Sequence, residues 1–368
     1  MEIKEVEVYK LHMKLKEPFE TSFGSVHMRP VVLLRVRDKS GEEGWGEVVA
    51  GEGPWYSYET IDTALIVLDK YLIPLVLRKF KGSARDLWNL MERIRGHNTA
   101  KAGLEMAIWD LEARLANLPL YKYIGGSKRR IPSGVSIGVK KRIEDLIRDI
   151  SKRLEEGYLR IKIKIKPGWD LKVIKSIRKE YPDIPLQVDA NSAYTLKDIS
   201  LLKKLDNFDL LMIEQPLHYE DLVGHAILSR KLTTPICLDE SIRSIHDTRA
   251  AYILNSARII NIKPGRVGGY IPSIMIHDFC GIVGMSIWVG GMLETGIGRG
   301  HLLALASLKF FTLPNDISAS SRYWERDIVE PEWSLEDGYI EIPESPGIGV
   351  DILVDRIRVL SEVSKKYH

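Results

Sequence analysis

The sequence predicts an α/β chain in which a strand–helix barrel is covered by a smaller α+β unit. Three observations predict it. The first 125 residues pass from strand-like alternation to helical periodicity. From about residue 126 onward, short apolar strands alternate with amphipathic helical stretches. Charged residues that end those strands recur at a nearly constant interval.

The first stretch is read as three strands and several helices. Residues 3–15 alternate, 31–36 are apolar and β-branched, and 44–49 follow the turn Lys39-Ser40-Gly41. Apolar residues three and four apart then predict helices over 61–77 and 102–118. Gly125-Gly126-Ser127, a basic run and Pro132 mark a linker, which closes a unit of residues 1–125. Beyond it, strands are predicted at 133–139, 160–165, 185–188, 210–213, 236–238, 258–262 and 286–289, with helices such as 172–180 and 197–205 between them. Alternation of this kind calls for parallel strands joined by crossover helices. Seven or eight such units close a barrel, assigned here to residues 126–320. The turn-rich segment 321–368 is expected to return to the first unit.

The interval between charged strand ends is the sharper signal. Lys164, Asp189, Glu214 and Asp239 follow one another at 25 residues, and Lys263 comes 24 later. One strand, one helix and two loops fill such a period. Parallel barrels gather their C-terminal strand ends at one mouth. Asp189, Glu214 and Asp239 would then converge from three adjacent strands. Three unpaired buried carboxylates repel and take up protons, and a hard divalent cation such as Mg²⁺ or Mn²⁺ removes that conflict. Metal charge aimed at a substrate carboxylate stabilises the enediolate formed when the neighbouring C–H loses its proton. In the run Arg160-Ile161-Lys162-Ile163-Lys164, period two places Lys162 and Lys164 on one face. Lys263 ends a strand four units further round and faces them. A lysine near a metal and other cations is expected to have a depressed pKa. A single acidic residue at a strand end is more often a helix cap, and Lys-x-Lys is more often a solvated edge. The regularity across five positions is what favours a site.

Composition narrows the alternatives. With 53 Lys and Arg against 50 Asp and Glu, the net charge of +3 gives no electrostatic case for nucleic acid or an anionic membrane. No uninterrupted apolar run is long enough to cross a bilayer. The chain opens without a signal-peptide pattern, and Cys237 and Cys280 form no disulfide framework, so a cytoplasmic location is expected.

The strings Ile161–Lys164, Val188-Asp189-Ala190-Asn191, Ile213-Glu214-Gln215-Pro216, Leu238-Asp239-Glu240-Ser241 and Asn261-Ile262-Lys263-Pro264 resemble the enolase superfamily, in its muconate-lactonizing-enzyme-like subgroup. That superfamily is a standard example of a Lys base working with Mg²⁺. Further strings, among them Lys263-Pro264-Gly265-Arg266-Val267-Gly268-Gly269-Tyr270, Gly290-Gly291-Met292-Leu293-Glu294-Thr295-Gly296 and Asp316-Ile317-Ser318, look most like o-succinylbenzoate synthases with N-acylamino acid racemase activity.

The resemblance implies a modified (β/α)7β TIM-type barrel, capped by an α+β domain built from the N-terminal region and the C-terminal segment. It implies that Asp189, Glu214 and Asp239 bind Mg²⁺ or Mn²⁺. Lys164 and Lys263 would be the catalytic pair, with Lys162 beside the substrate carboxylate. Ser136, Gly291 and Met292 would meet the acyl tail. Phe19, in the early loop 19–24, and Tyr56, in the segment 51–56, would close over the substrate, a small carboxylate. Asn191, Arg266 and Glu240 would support the site from behind; the position of Arg266, three residues beyond Lys263, further suggests that it tunes Lys263. Gly51 stands where relatives often carry a larger residue, which widens the acyl side. Homo-oligomers are the rule among such relatives. The open functions are dehydration to o-succinylbenzoate, in menaquinone synthesis, and racemisation of N-succinyl or N-acyl amino acids. Muconate cycloisomerase and dipeptide epimerase are the alternatives, and a silent scaffold barrel is the remotest.

Overall fold

The structure, a computed structural model, describes residues 1–21 and 24–368. Three antiparallel strands begin the cap: β1 (Ile3–Thr21), β2 (Gly24–Asp38) and β3 (Glu43–Val48). The hairpin of β1 and β2 outruns the expected strands. Phe19 pairs with Val26, Glu20 with Ser25 and Thr21 with Gly24, so much of the expected loop 19–24 is ladder; its Ser22 and Phe23 lie outside the described residues. Glu5 and Glu7 of β1 are buried without conflict, because Arg37 and Arg35 of β2 reach them at 3.1 and 3.3 Å.

The helix expected over 61–77 is α1 (Ile61–Val67) and α2 (Ile73–Lys79), joined by a π-helical turn at Leu68–Leu72. Pro74 enters there without an N–H to give, which accounts for the widened turn. After α3 (Ala84–Met91) comes α4 (Asn98–Leu115), whose residues 99–113 are all buried. Helix α4 is the seam between cap and barrel. Gly44 and Gly46 let β3 lie directly on it: a Cβ on Gly46 would stand 2.1 Å from the Gly103 carbonyl oxygen. A short α5 (Leu120–Tyr123) and β4 (Arg130–Pro132) lead into the barrel.

The barrel strands are β5 (Gly134–Ile137), β6 (Arg160–Lys164), β7 (Leu186–Asp189), β8 (Met212–Glu214), β9 (Ile236–Leu238), β10 (Ile259–Ile262) and β11 (Ser286–Val289). They are parallel and ordered as in the sequence. Between them run α6 (Ile143–Glu155), α7 (Leu171–Glu180), α8 (Ile199–Leu202), α9 (Leu222–Ser229), α10 (Ile245–Leu254), α11 (Pro264–Val267) and α12 (Tyr270–Val283). Helix α13 (Gly296–Ala306) follows β11. The helix expected over 197–205 is broken, with α8 flanked by two 3-10 turns.

An eighth strand is reduced to a bridging segment. Asn315 N donates to Pro132 O at 2.9 Å, Gly134 N donates to Asn315 O at 2.7 Å, and Asp316 N donates to Val289 O at 2.9 Å. These bonds join the first barrel strand to the last, so the sheet curls shut without a full final stave. The chain then adds the short strands β12 (Val329–Glu330), β13 (Tyr339–Glu341) and β14 (Asp351–Ile352), then α14 (Val354–Leu360) and β15 (Ser361–Tyr367). Strand β15 pairs antiparallel with β1, which returns the C-terminal segment to the cap sheet. Among the described residues no helix is long and apolar enough to cross a membrane.

Candidate active site

Register places the charged strand ends side by side. Lys164 pairs with Asp189 between β6 and β7, and Asp189 pairs with Glu214 between β7 and β8. Asp239 follows β9, and Lys263 follows β10. The three carboxylates are at most 1% exposed.

Each carboxylate is engaged by cations of the chain. Lys164 Nζ donates to Asp189 Oδ2 at 2.6 Å and to Asn191 Oδ1 at 2.7 Å. Lys162 Nζ lies 3.2 Å from Glu214, 3.6 Å from Asp189 and 2.9 Å from Asp316, with its charge 4.9 Å from the Trp288 ring centroid. Lys263 Nζ donates to Asp239 Oδ2 at 2.8 Å, and Arg266 holds Asp239 Oδ1. Among the described residues no three acidic, His or Cys side chains stand preformed as a metal cage. Asp189 and Asp239 lean toward Lys164 and Lys263 instead, and Glu214 faces the Lys162 that it shares with Asp189 and Asp316.

Electrostatics separate the acids. Burial, followed by the Asp189 charge, pushes Glu214 up to about 7. Burial also pushes Asp189 and Asp239 up. Lys164 and Lys162 outweigh it at Asp189, and Lys263 and Arg266 outweigh it at Asp239, so both carboxyls fall below their ordinary range. Burial pushes the Lys263 amine down, yet Asp239 holds the ammonium well above its usual value. The closest charge to Lys263 is a carboxylate, and at this distance in a buried site it outweighs desolvation.

Above these groups lies a cavity of about 490 Å³ between cap and barrel. Lys162, Lys164 and Asn191 line it from one wall and Lys263 from the other. Ser136, Gly291, Met292, Phe19 and Tyr56 also line it, so the expected contact residues share one space. Arg266 and Glu240 do not. They border an adjoining chamber of about 210 Å³ behind Tyr56. Asn191 Nδ2 donates to Glu240 Oε1 at 2.8 Å, and the other Glu240 oxygen is buried with no hydrogen-bond partner. Arg266 and Lys263 both donate to the Tyr56 hydroxyl, at 3.0 and 3.1 Å, and the Lys263 ammonium lies 4.7 Å from the Tyr56 ring centroid.

Several polar partners were missed in the sequence. Gln187 Nε2 and Asn261 Nδ2 donate to the two oxygens of Glu214, at 2.6 and 2.8 Å. Each stands two residues before a noticed strand end, on the same inward face, so period two could have found them. Asp316 bonds both Lys162 and Ser136, the latter at 2.6 Å. No periodicity marks it, because its segment is too short to show a strand pattern. Two amines on opposite walls, with buried carboxylates beneath, can remove and return a proton on either face of a bound carbon acid.

Two family models match the chain. "Mandelate racemase / muconate lactonizing enzyme, N-terminal domain" covers residues 3–125, and "Enolase C-terminal domain-like" covers residues 145–356. An o-succinylbenzoate synthase from Geobacillus stearothermophilus is 49% identical over 358 residues, covering 97% of this chain and 96% of its own. An N-succinylamino acid racemase from Amycolatopsis is 46% identical over 351 residues, 95% of each chain. A solved enolase-superfamily protein from Listeria innocua superposes with a TM-score of 0.96 at 37% identity, over 100% of this chain and 99% of its own. A dipeptide epimerase from Cytophaga hutchinsonii, solved with Mg and a dipeptide, superposes with a TM-score of 0.92 at 26% identity over the whole of both chains. The chain therefore belongs to the enolase superfamily, in its mandelate racemase / muconate lactonizing enzyme branch, among relatives named o-succinylbenzoate synthase and N-succinylamino acid racemase.

Proposed function

We propose that this enzyme detaches the proton next to a substrate carboxylate, acting as an o-succinylbenzoate synthase, an N-succinylamino acid racemase, or both. The observation that carries the reading is the placement of Lys164 and Lys263 on opposite walls of one cavity. Relatives of both names match this chain almost end to end.

In this reading Lys164 takes the α-proton, with Asn191 and Asp189 setting the direction of its amine. In racemisation Lys263 returns a proton to the opposite face. In dehydration Lys164 also delivers its proton to the departing hydroxyl on the same face, while the Lys263 charge steadies the enediolate. Lys162, held by Asp316, faces the substrate carboxylate. Ser136 and the Gly291-Met292 backbone meet the acyl tail, and Phe19 and Tyr56 close the space from the cap.

Asp189, Glu214 and Asp239 fit a hard divalent cation: they supply only oxygen donors, and two are held ionised by their neighbours. A solved relative carries Mg. When bound, Mg²⁺ or Mn²⁺ would supply positive charge to the substrate carboxylate as its neighbouring proton leaves. The free, buried Cys237 and Cys280 agree with a reducing compartment such as the cytoplasm. A homo-oligomer would match the habit of such relatives.

The test is α-proton exchange in deuterated solvent, with Mg²⁺, on both enantiomers of an N-succinylamino acid, beside a dehydration assay for o-succinylbenzoate. Exchange or dehydration is expected, and neither survives Lys164→Ala. A protein inert in both assays would remove the proposal.

A further inference from the structure

The cap grips the barrel through two buried carboxylates that end barrel helices. Glu105 of α4 accepts from Tyr270 N at 2.7 Å and Ile271 N at 3.0 Å, where α12 opens. Glu47 of β3 accepts from Thr295 N at 3.0 Å, Thr295 Oγ at 2.6 Å and Gly298 N at 3.1 Å, where α13 opens. The first N–H groups of a helix have no partner within it, and a carboxylate satisfies them. The two anchors hold different segments. Helix α12 continues from α11, which starts directly after Lys263. Helix α13 continues from the turn 290–294, whose Gly291 and Met292 line the cavity.

That turn depends on its surroundings. Leu293 has φ +61°, a left-handed conformation that is costly for a residue with a Cβ. It persists only where neighbouring contacts hold it. Met292 N donates to Glu294 Oε2 at 2.7 Å and closes the turn, while Arg299 Nη2 donates to the Glu294 carbonyl at 2.9 Å. The next residue is Thr295, which Glu47 clamps. Gly298 keeps the space free: a Cβ there would lie 2.7 Å from Glu47 Oε2 and 2.8 Å from Glu294 Cγ. Arg29, which lines the cavity, lies in the field of both Glu47 and Glu294.

We propose that Glu47 is a positioning residue for the acyl end of the substrate: from the cap, it holds the 290–294 turn in the shape that the acyl tail meets. This rests on the proposed function, in which Gly291 and Met292 contact that tail. Glu47 touches neither lysine nor any of the three site carboxylates. Its loss therefore falls on acyl recognition and spares proton transfer. Glu105, built in the same way, backs the Lys263 segment and has no part in acyl choice.

The experiment uses the full chain with Mg²⁺, with Glu47→Gln, Glu47→Ala and Glu105→Gln beside the unaltered protein. The substrates are N-acetyl, N-succinyl and N-benzoyl forms of one amino acid. Glu47→Gln is expected to raise KM for the N-succinyl form about tenfold and to shift the kcat/KM ratio between acyl groups at least about fivefold, with kcat little changed. Glu105→Gln is expected to leave those ratios as they are. Glu47→Gln keeps the side-chain shape, so it carries the test if Glu47→Ala does not fold. An equal fall for every acyl group, or an unchanged acyl ratio, overturns the inference alone. An unaltered protein that turns over none of these substrates overturns the racemase reading on which the inference rests, and the inference with it.

Discussion

The two lysine walls of the cavity are held differently. Lys164 belongs to the barrel alone: both of its hydrogen-bond partners, Asp189 and Asn191, come from β7 and the loop after it. Lys263 is shared. Asp239 of the barrel takes one of its N–H groups, the Tyr56 hydroxyl of the cap takes another, and the Tyr56 ring covers its charge. Behind it, Asn98 of α4 donates to the Arg266 carbonyl at 3.0 Å, and Glu105 caps α12. One base is therefore set by strand register, and the other by how the cap sits. Chemistry at Lys263 should answer to changes in the cap, and chemistry at Lys164 should not.

The largest expected effects come from the lysines themselves. Lys164→Ala should lower both activities by about 10³-fold or more. Lys263→Arg keeps a charge but not a matched base, so it should abolish racemisation while leaving a measurable part of the dehydration. Enantiomer-resolved exchange and a dehydration assay would read the split, and an equal loss of both would erase the contrast between the walls.

Asp239→Asn comes next. It leaves Lys263 and Arg266 buried without their shared counter-charge, a change of about 3 kcal/mol in stability. It should also weaken Mg²⁺ binding, which calorimetric titration would show. Asp189→Asn should weaken the metal equally while disturbing Lys164 instead.

Tyr56→Phe is milder. It keeps the ring over Lys263 and removes only the hydroxyl. Exchange on the Lys263 face should fall about tenfold, with the Lys164 face unaffected. Equal changes on both faces would show that the cap does not distinguish them.

The last effect falls on the pH dependence of stability and not on turnover. Burial raises the Glu105 carboxyl to about 7 in the folded chain, from an ordinary 4.5. The folded state then holds the proton more tightly than the unfolded one. Glu105 therefore erodes stability as pH rises from about 4.5 to about 7, by at most about 1.4 kcal/mol per pH unit. Denaturant unfolding across that range should be flatter for Glu105→Gln. An identical profile would mean that Glu105 titrates alike in both states.

Most of the barrel could be read in advance because a parallel strand buried on both faces is a short apolar run, and seven of them recur at one interval. The hairpin of β1 and β2 ran longer than expected because polar pairs such as Glu20 and Ser25 continue it, and periodicity does not count such residues as strand formers. The broken helix around α8 and the stunted eighth strand were not foreseen. Their shape follows from how the ring closes, and not from local preference.

The same division holds at the site. Five strand-end residues were legible because strand spacing and a side-chain period of two are local properties of the chain. The partners of Asp316, the Glu47 clamp, the Tyr56 bond to Lys263 and the hold of Asp239 on the Lys263 ammonium were not legible. The sequence by itself determined which residues could reach the mouth of a barrel, since covalent spacing and backbone geometry decide that. Only the tertiary structure decided which charges face one another and which side chains of the cap reach the barrel. Those contacts join residues up to about 250 positions apart, across a packed interface that no local pattern records.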